Sequence, residues 1–197
     1  MKEKITLLLL KDTGNVLAAT TRAAMADEPT DKKLKEQQDA QDLKALVGEA
    51  LLVRFGGDPV DVANLKLTNA EFLVPPEELA LLIGEFDAGV LQDARSFCSD
   101  DSQVPQPVTA VAAGNLTVAV SQTDVKFTVL NPVTSKTKVW IQIQDETGSD
   151  IQVVRGAIEP VAGHDKDVTL PLRHLGSGTY LALALTAGYQ PVTLKFQ

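Results

Sequence analysis

The sequence predicts a mainly β protein, in which a mixed, mostly β N-terminal domain precedes a β-sandwich. Three observations carry that expectation. In the C-terminal half, apolar residues recur at every second position in short segments, the spacing that puts one set of side chains on one face of a strand. Clusters of Gly, Pro, Asn, Asp and Ser separate those segments and favour turns. A polar run from Ser99 to Pro107, with two prolines, divides the chain into parts of different charge.

From the N-terminus, Ile5 to Leu10, the turn Asp12-Thr13-Gly14-Asn15 and Val16 to Thr21 read as a β-hairpin. Leu7, Leu8, Leu9 and Leu10 abandon alternation, so this strand should be covered on both faces and is a candidate interface. Ala26 to Lys44 carries only Leu34 and Leu43 as large apolar residues, too thin a stripe for a docked helix; a solvated helix or a mobile loop is expected there. Structure is expected again from Ala45 to Phe55, a turn at Gly56-Gly57-Asp58-Pro59, a strand from Val62 to Thr68, and a continuation at Glu71 to Val74. Pro75-Pro76-Glu77-Glu78 suits a helix start running to Leu82, while Leu79 to Phe86 equally suits a strand; composition leaves both open. The expected division is residues 1–98, a linker at 99–107, and 108–197.

In the second domain, Leu116, Val118 and Val120 alternate, as do Val125, Phe127 and Val129, then Val139, Ile141 and Ile143, then Val168, Leu170 and Leu172, then Val192, Leu194 and Phe196. About seven strands in about 90 residues fit a sandwich. Gly178-Thr179-Tyr180, opening a strand near the C-terminus before one last strand, resembles the immunoglobulin-like or fibronectin-III-like domains common in bacterial and phage proteins. The resemblance covers residues 107–197 and implies adhesion, spacing or assembly; paired cysteines of antibody domains are lacking. If Val139 and Ile141 point inward, Trp140 points out. Tyr180, Ala182 and Ala184 alternate with Leu181, Leu183 and Leu185, so two readings stand. Either Tyr180 tucks inward, as in the domains it resembles, and the leucines need cover from the first domain or another subunit, or the leucines are core and Tyr180 sits at a solvated edge.

The 197 residues carry 18 Lys/Arg against 26 Asp/Glu, a net charge of -8, with the whole excess in residues 1–104. That disfavours a sequence-independent hold on nucleic acid or on an anionic membrane, which needs clustered cations. The apolar run Ile5 to Leu10 is cut short by Lys11 and Asp12, so it fails as an export signal, and cytoplasmic synthesis is the expectation; release by lysis or as part of a particle would leave no signature of this kind. One cysteine, Cys98, and two histidines, His164 and His174, exclude a disulfide framework and a Cys/His zinc site.

Candidate chemistry is thin. Asp145-Glu146-Thr147-Gly148-Ser149-Asp150 lacks the closing glutamate of a calcium loop and reads as a hairpin turn. His164 and Asp165 are adjacent in a turn-rich segment, and neighbouring side chains on an extended chain point to opposite faces, so the two would not pair readily. Gly56-Gly57 and Gly176-Ser177-Gly178 match no phosphate-binding loop. The expectation is therefore no catalytic, cofactor or metal residues, with Leu7 to Leu10, Trp140, Tyr180, Leu181, Leu183 and Leu185 as interface candidates. A non-enzymatic assembly component, contacting copies of itself or other proteins through strand edges and apolar stripes, follows as the expected function. A module binding a small ligand or carbohydrate, with Trp140, Tyr180 and Tyr189 as a stacking platform, is the alternative.

Overall fold

The computed structural model describes residues 2–21, 37, 41, 51–56, 69–99, 104–108, 116–129, 135–148, 150–160 and 166–197, with the backbone alone at 51–56 and 69–71. Within these residues the chain is mainly β. Strand β1 (Lys2–Leu10) turns back into β2 (Val16–Thr20), the expected hairpin. Its turn is closed by Gly14 N–H donating to the Leu10 carbonyl at 2.8 Å. Gly14 has φ of 73°, and a Cβ there would lie 1.9 Å from the Ser99 carbonyl oxygen, so both conformation and space require glycine.

Strands β3 (Leu51–Gly56) and β4 (Asn69–Val74) pair antiparallel. The expected strand at Val62 to Thr68 lies outside the described residues, as does Ala26 to Lys44 apart from Gln37 and Gln41, which are helical and exposed. Of the two readings left open after Val74, the strand prevails. Only one 3-10 turn, Pro76–Glu78, forms before β5 (Leu79–Asp87). The physical reason is the partner: β5 pairs with β1 over its full length, setting Leu7 to Leu10 against Leu82 to Leu79 and Lys4 and Lys2 against Glu85 and Asp87. Apolar and oppositely charged cross-strand pairs both favour this register. Phe86 folds its ring over Gly84, leaving a Cβ at that glycine only 2.7 Å from the ring.

Beyond β5 come the short helix α1 (Gly89–Gln92), a 3-10 turn, β6 (Phe97–Ser99) and β7 (Pro105–Pro107). The stretch expected to be a free linker is tied down at both ends: β6 and β7 pair with Cys98 opposite Gln106, Asn15 bridges to Cys98, and Ser99 N–H donates to the Gly14 carbonyl at 2.8 Å. Proline limits the backbone donors of this ladder, and the Gly14 carbonyl anchors its β6 end by accepting the Ser99 N–H.

The second half contributes β8 (Leu116–Val120), β9 (Asp124–Val129), β10 (Thr137–Asp145), β11 (Ile151–Ile158), β12 (Lys166–Pro171), β13 (Tyr180–Thr186) and β14 (Val192–Phe196). They form two antiparallel sheets, β12-β9-β8 and β11-β10-β13-β14. Between the sheets lie Val118, Val125, Phe127, Ile141, Ile143, Tyr180, Ala182, Ala184 and Leu194, a core drawn from both. Tyr180 thus faces inward, its ring 5.8 Å from that of Phe196, and the alternation of β13 turns Leu181, Leu183 and Leu185 the other way. Gly156 on β11 admits the Leu170 side chain of β12; a Cβ there would stand 2.5 Å from a leucine methyl.

The halves share hydrophobic packing. Ile5, Leu7 and Leu9 pack with Val16, Val90, Leu82, Phe86 and Phe97 on one face of the β2-β1-β5 sheet. Leu8 and Leu10, on the other face, join Phe72, Val74 and Leu79 against Trp140, Leu183 and Leu185 of the sandwich. Four consecutive leucines are buried because this sheet is a middle layer. The expected split into two domains is therefore not seen as two separate cores: one cluster draws on both sides of the 99–107 boundary.

Candidate functional site

The outer face of β11-β10-β13-β14 decides what the apolar candidates do. Register places Trp140 beside Leu185, Gln142 beside Leu183 and Gln144 beside Leu181, a half-apolar, half-amide surface. The N-terminal half lies on it. Trp140, Leu183 and Leu185 are fully buried there, Leu181 is half-buried, and Leu7, Leu8, Leu9 and Leu10 are all buried in the layer above. Each leucine removed from water contributes about 1.5 to 3 kcal/mol, so this seam is a principal source of cohesion between the halves. Tyr180, the remaining candidate, belongs to the sandwich interior instead.

Polar groups fix the seam's alignment. Glu78 is 6% exposed; its Oε2 accepts from Trp140 Nε1 at 3.0 Å, and its Oε1 accepts from Arg155 Nη2. Arg155 Nε also meets Asp12 Oδ2 at 2.8 Å, so one guanidinium joins the β1–β2 turn, the Pro76–Glu78 turn and β11. Gln142 Nε2 donates to the Leu73 carbonyl at 3.0 Å and to Gln144 Oε1 at 3.2 Å. Sequence reasoning missed Asp12, Glu78 and Arg155. The only sequence signal was an acidic residue after a proline pair, and nothing in the spacing links Glu78 to a cation 77 residues later. A carboxylate held between an indole N–H and a guanidinium is satisfied as an ion-pair acceptor and orients the two halves.

A cleft of about 710 Å³ opens beside the β1–β2 turn, walled by Thr13, Gly14, Cys98, Thr137, Lys138 and Gly188 among others. Cys98 Sγ donates to the Thr13 carbonyl at 3.1 Å, which places the thiol as a buried small side chain. Two of the lysines on the cleft wall are engaged, Lys11 Nζ on the Glu77 carbonyl at 2.8 Å and Lys136 with Glu159 at 2.6 Å. The Thr13 and Thr186 hydroxyls, Asn15 Oδ1 and Gln142 Oε1 are buried with no hydrogen-bond partner among the described residues.

The remaining chemical candidates have structural positions. Asp145 Oδ2 accepts from Thr147 Oγ1 at 2.8 Å, Gly148 takes φ of 73°, Asp150 pairs with Arg173 and Glu146 with Lys195, so the acidic run is a braced hairpin turn. His174 is exposed, while His164 and Asp165 lie outside the described residues. No group of three or more His, Cys, Asp or Glu that could hold a metal occurs among the described residues. Burial pushes the Tyr189 phenol above its ordinary range. It also lowers the Arg95 guanidinium, an effect Asp93 partly opposes. No helix among the described residues is long and apolar enough to cross a membrane. No protein-family model matches the chain, and no curated sequence matches it significantly.

Proposed function

We propose that this protein is a non-enzymatic structural component that assembles with other protein subunits. The observation that carries the reading is the combination of a layered body, whose large apolar residues are packed against one another, with a long strand, β5, that is the terminal strand of its sheet among the described residues. A rigid body with an unpaired strand edge is suited to adding a strand from a neighbour, because the edge offers a row of free amide and carbonyl groups. The strand orders β8-β9-β12 and β11-β10-β13-β14 support the likeness to immunoglobulin-like and fibronectin-III-like modules, which serve as spacers and assembly units in phage-like particles among other settings. Cytoplasmic synthesis belongs to the same reading.

A module binding carbohydrate or another small ligand would need Trp140, Tyr180 and Tyr189 on one exposed face. Trp140 and Tyr180 instead lie on opposite faces of the same sheet and are both buried, which speaks for assembly. Light scattering of the purified chain tests the proposal, alone and with an extract from its source. A species above 21.0 kDa in which residues 79–87 gain protection from hydrogen exchange is expected. A monomer under both conditions would overturn it.

A further inference from the structure

Strand β5 spends one edge on β1. It is the terminal strand of the β2-β1-β5 sheet, and no further backbone hydrogen bond reaches Ala80 to Phe86 among the described residues. Most other edges are short or blunted, and the eight-residue edge strand β11 lies against β12. β8 and β14 have five residues each, β7 contains Pro105 and Pro107, β12 ends in Pro171, and the far side of the β2 hairpin meets Cys98 through Asn15. β5 has nine residues, no lysine and no proline, and its Leu81, Leu82 and Ile83 are half-buried. The sheet is packed on both faces, and a terminal strand of this length without lysine or proline is a template for strand addition.

The strand on the occupied edge shows which partner chemistry β5 accepts. β1 sets Lys4 opposite Glu85, Lys2 opposite Asp87, and the stretch Thr6 to Leu10 opposite Ile83 to Leu79. We infer that the free edge of β5 receives an antiparallel extended segment of a partner protein with two Lys or Arg at alternate positions followed by about five mainly apolar residues. This rests on the assembly reading and names its partner. Glu85 is exposed and would then lie between two cations, one from each neighbour. A second copy of β5 fits less well. Antiparallel pairing centred on Ile83 would set Glu85 against Leu81 and Asp87 against Leu79, and both copies carry a net charge of -8.

The probe is a fluorescein-labelled ten-residue peptide with Lys at its first and third positions and Val or Thr elsewhere, titrated onto the full chain by anisotropy and hydrogen exchange. Saturable binding that protects the amides of residues 80–86 is expected. N-methylation of one alternate set of peptide amides should abolish binding and methylation of the other set should not, because an added strand bonds along one edge only. Glu85→Lys should weaken binding about fivefold, since an attractive cross-strand pair becomes a repulsive one; the peptide series stands without it if that variant fails to fold. Absence of saturable binding, or equal tolerance of both methylated sets, overturns the inference. An oligomer that protects residues 80–86 and ignores the peptide also overturns it, identifying a second copy as occupant while leaving the assembly reading intact. A monomer that binds the peptide as described upholds it.

Discussion

Replacing Leu183 by Ala probes whether the two halves unfold as one. Leu183 is 0% exposed on β13 and packs in the cluster that joins Leu8, Leu10, Phe72 and Leu79 to the sandwich. The substitution removes buried methyl and methylene groups and leaves a cavity between layers pinned by the Glu78–Arg155 pair, so little collapse is available. The cost should be about 3 kcal/mol, within the roughly 2 to 5 kcal/mol range for buried leucines. With a urea slope of about 2 kcal/mol/M, that lowers the midpoint by about 1.5 M. Trp140 is the single tryptophan and lies in the same seam, so its fluorescence reports the seam while far-UV circular dichroism reports all strands. The two signals should give one coincident transition in the parent and in the variant, shifted together. Separate transitions, or a shift worth less than about 0.5 kcal/mol as at an ordinary surface site, would refute a shared core.

Gly14→Ala should destabilise by at least about 2 kcal/mol, because the left-handed backbone costs about 1 to 2 kcal/mol and the new Cβ meets the Ser99 carbonyl; thermal unfolding checks it, and an unchanged midpoint would contradict the close approach. Trp140→Phe keeps most of the ring but removes the donor to Glu78, and should cost about 1 to 3 kcal/mol for the buried carboxylate left short of a partner. Urea unfolding followed by circular dichroism measures that loss, and a neutral result would place no weight on this bond. Tyr189 supplies a pH dependence: its folded phenol titrates above the ordinary value of 10.0, so the unfolded phenol ionises first as pH rises. Stability should be insensitive to this group below pH 10 and fall as pH climbs from there toward the folded value. Tyr189→Phe, which keeps the backbone carbonyl that accepts from Asn15 Nδ2, should show a shallower alkaline decline; identical curves would rule the phenol out.

Much of the fold was legible because a strand with one covered face must alternate. Val125, Phe127 and Val129, or Val139, Ile141 and Ile143, announce their strands and the face turned to the core. β11 was less legible: Val153 and Val154 are adjacent, one toward the seam and one toward the sandwich interior, so no clean period of two appears. The run Leu79 to Ile83 was ambiguous for the same reason, since a strand covered on both faces and a buried helix have similar composition. Pairing with β1 resolved it. The 99–107 stretch looked like a linker from its polar residues and prolines, yet the backbone of the Gly14 turn gives it partners that composition does not encode.

By itself the sequence determined the mainly β class, the N-terminal hairpin and the two-sided nature of β13, because side-chain period and turn chemistry act over a few residues. It also determined that Leu7 to Leu10 and the Leu181, Leu183, Leu185 stripe needed cover. Which surface covers them was decided only by tertiary structure: the leucines of β1 and β13 meet around Trp140, and Glu78 reaches Arg155 across the seam. Nothing local specifies such a meeting. Burial rewards any apolar partner of matching shape, and the choice among partners is made by the geometry of layers that hold residues distant in sequence at contact.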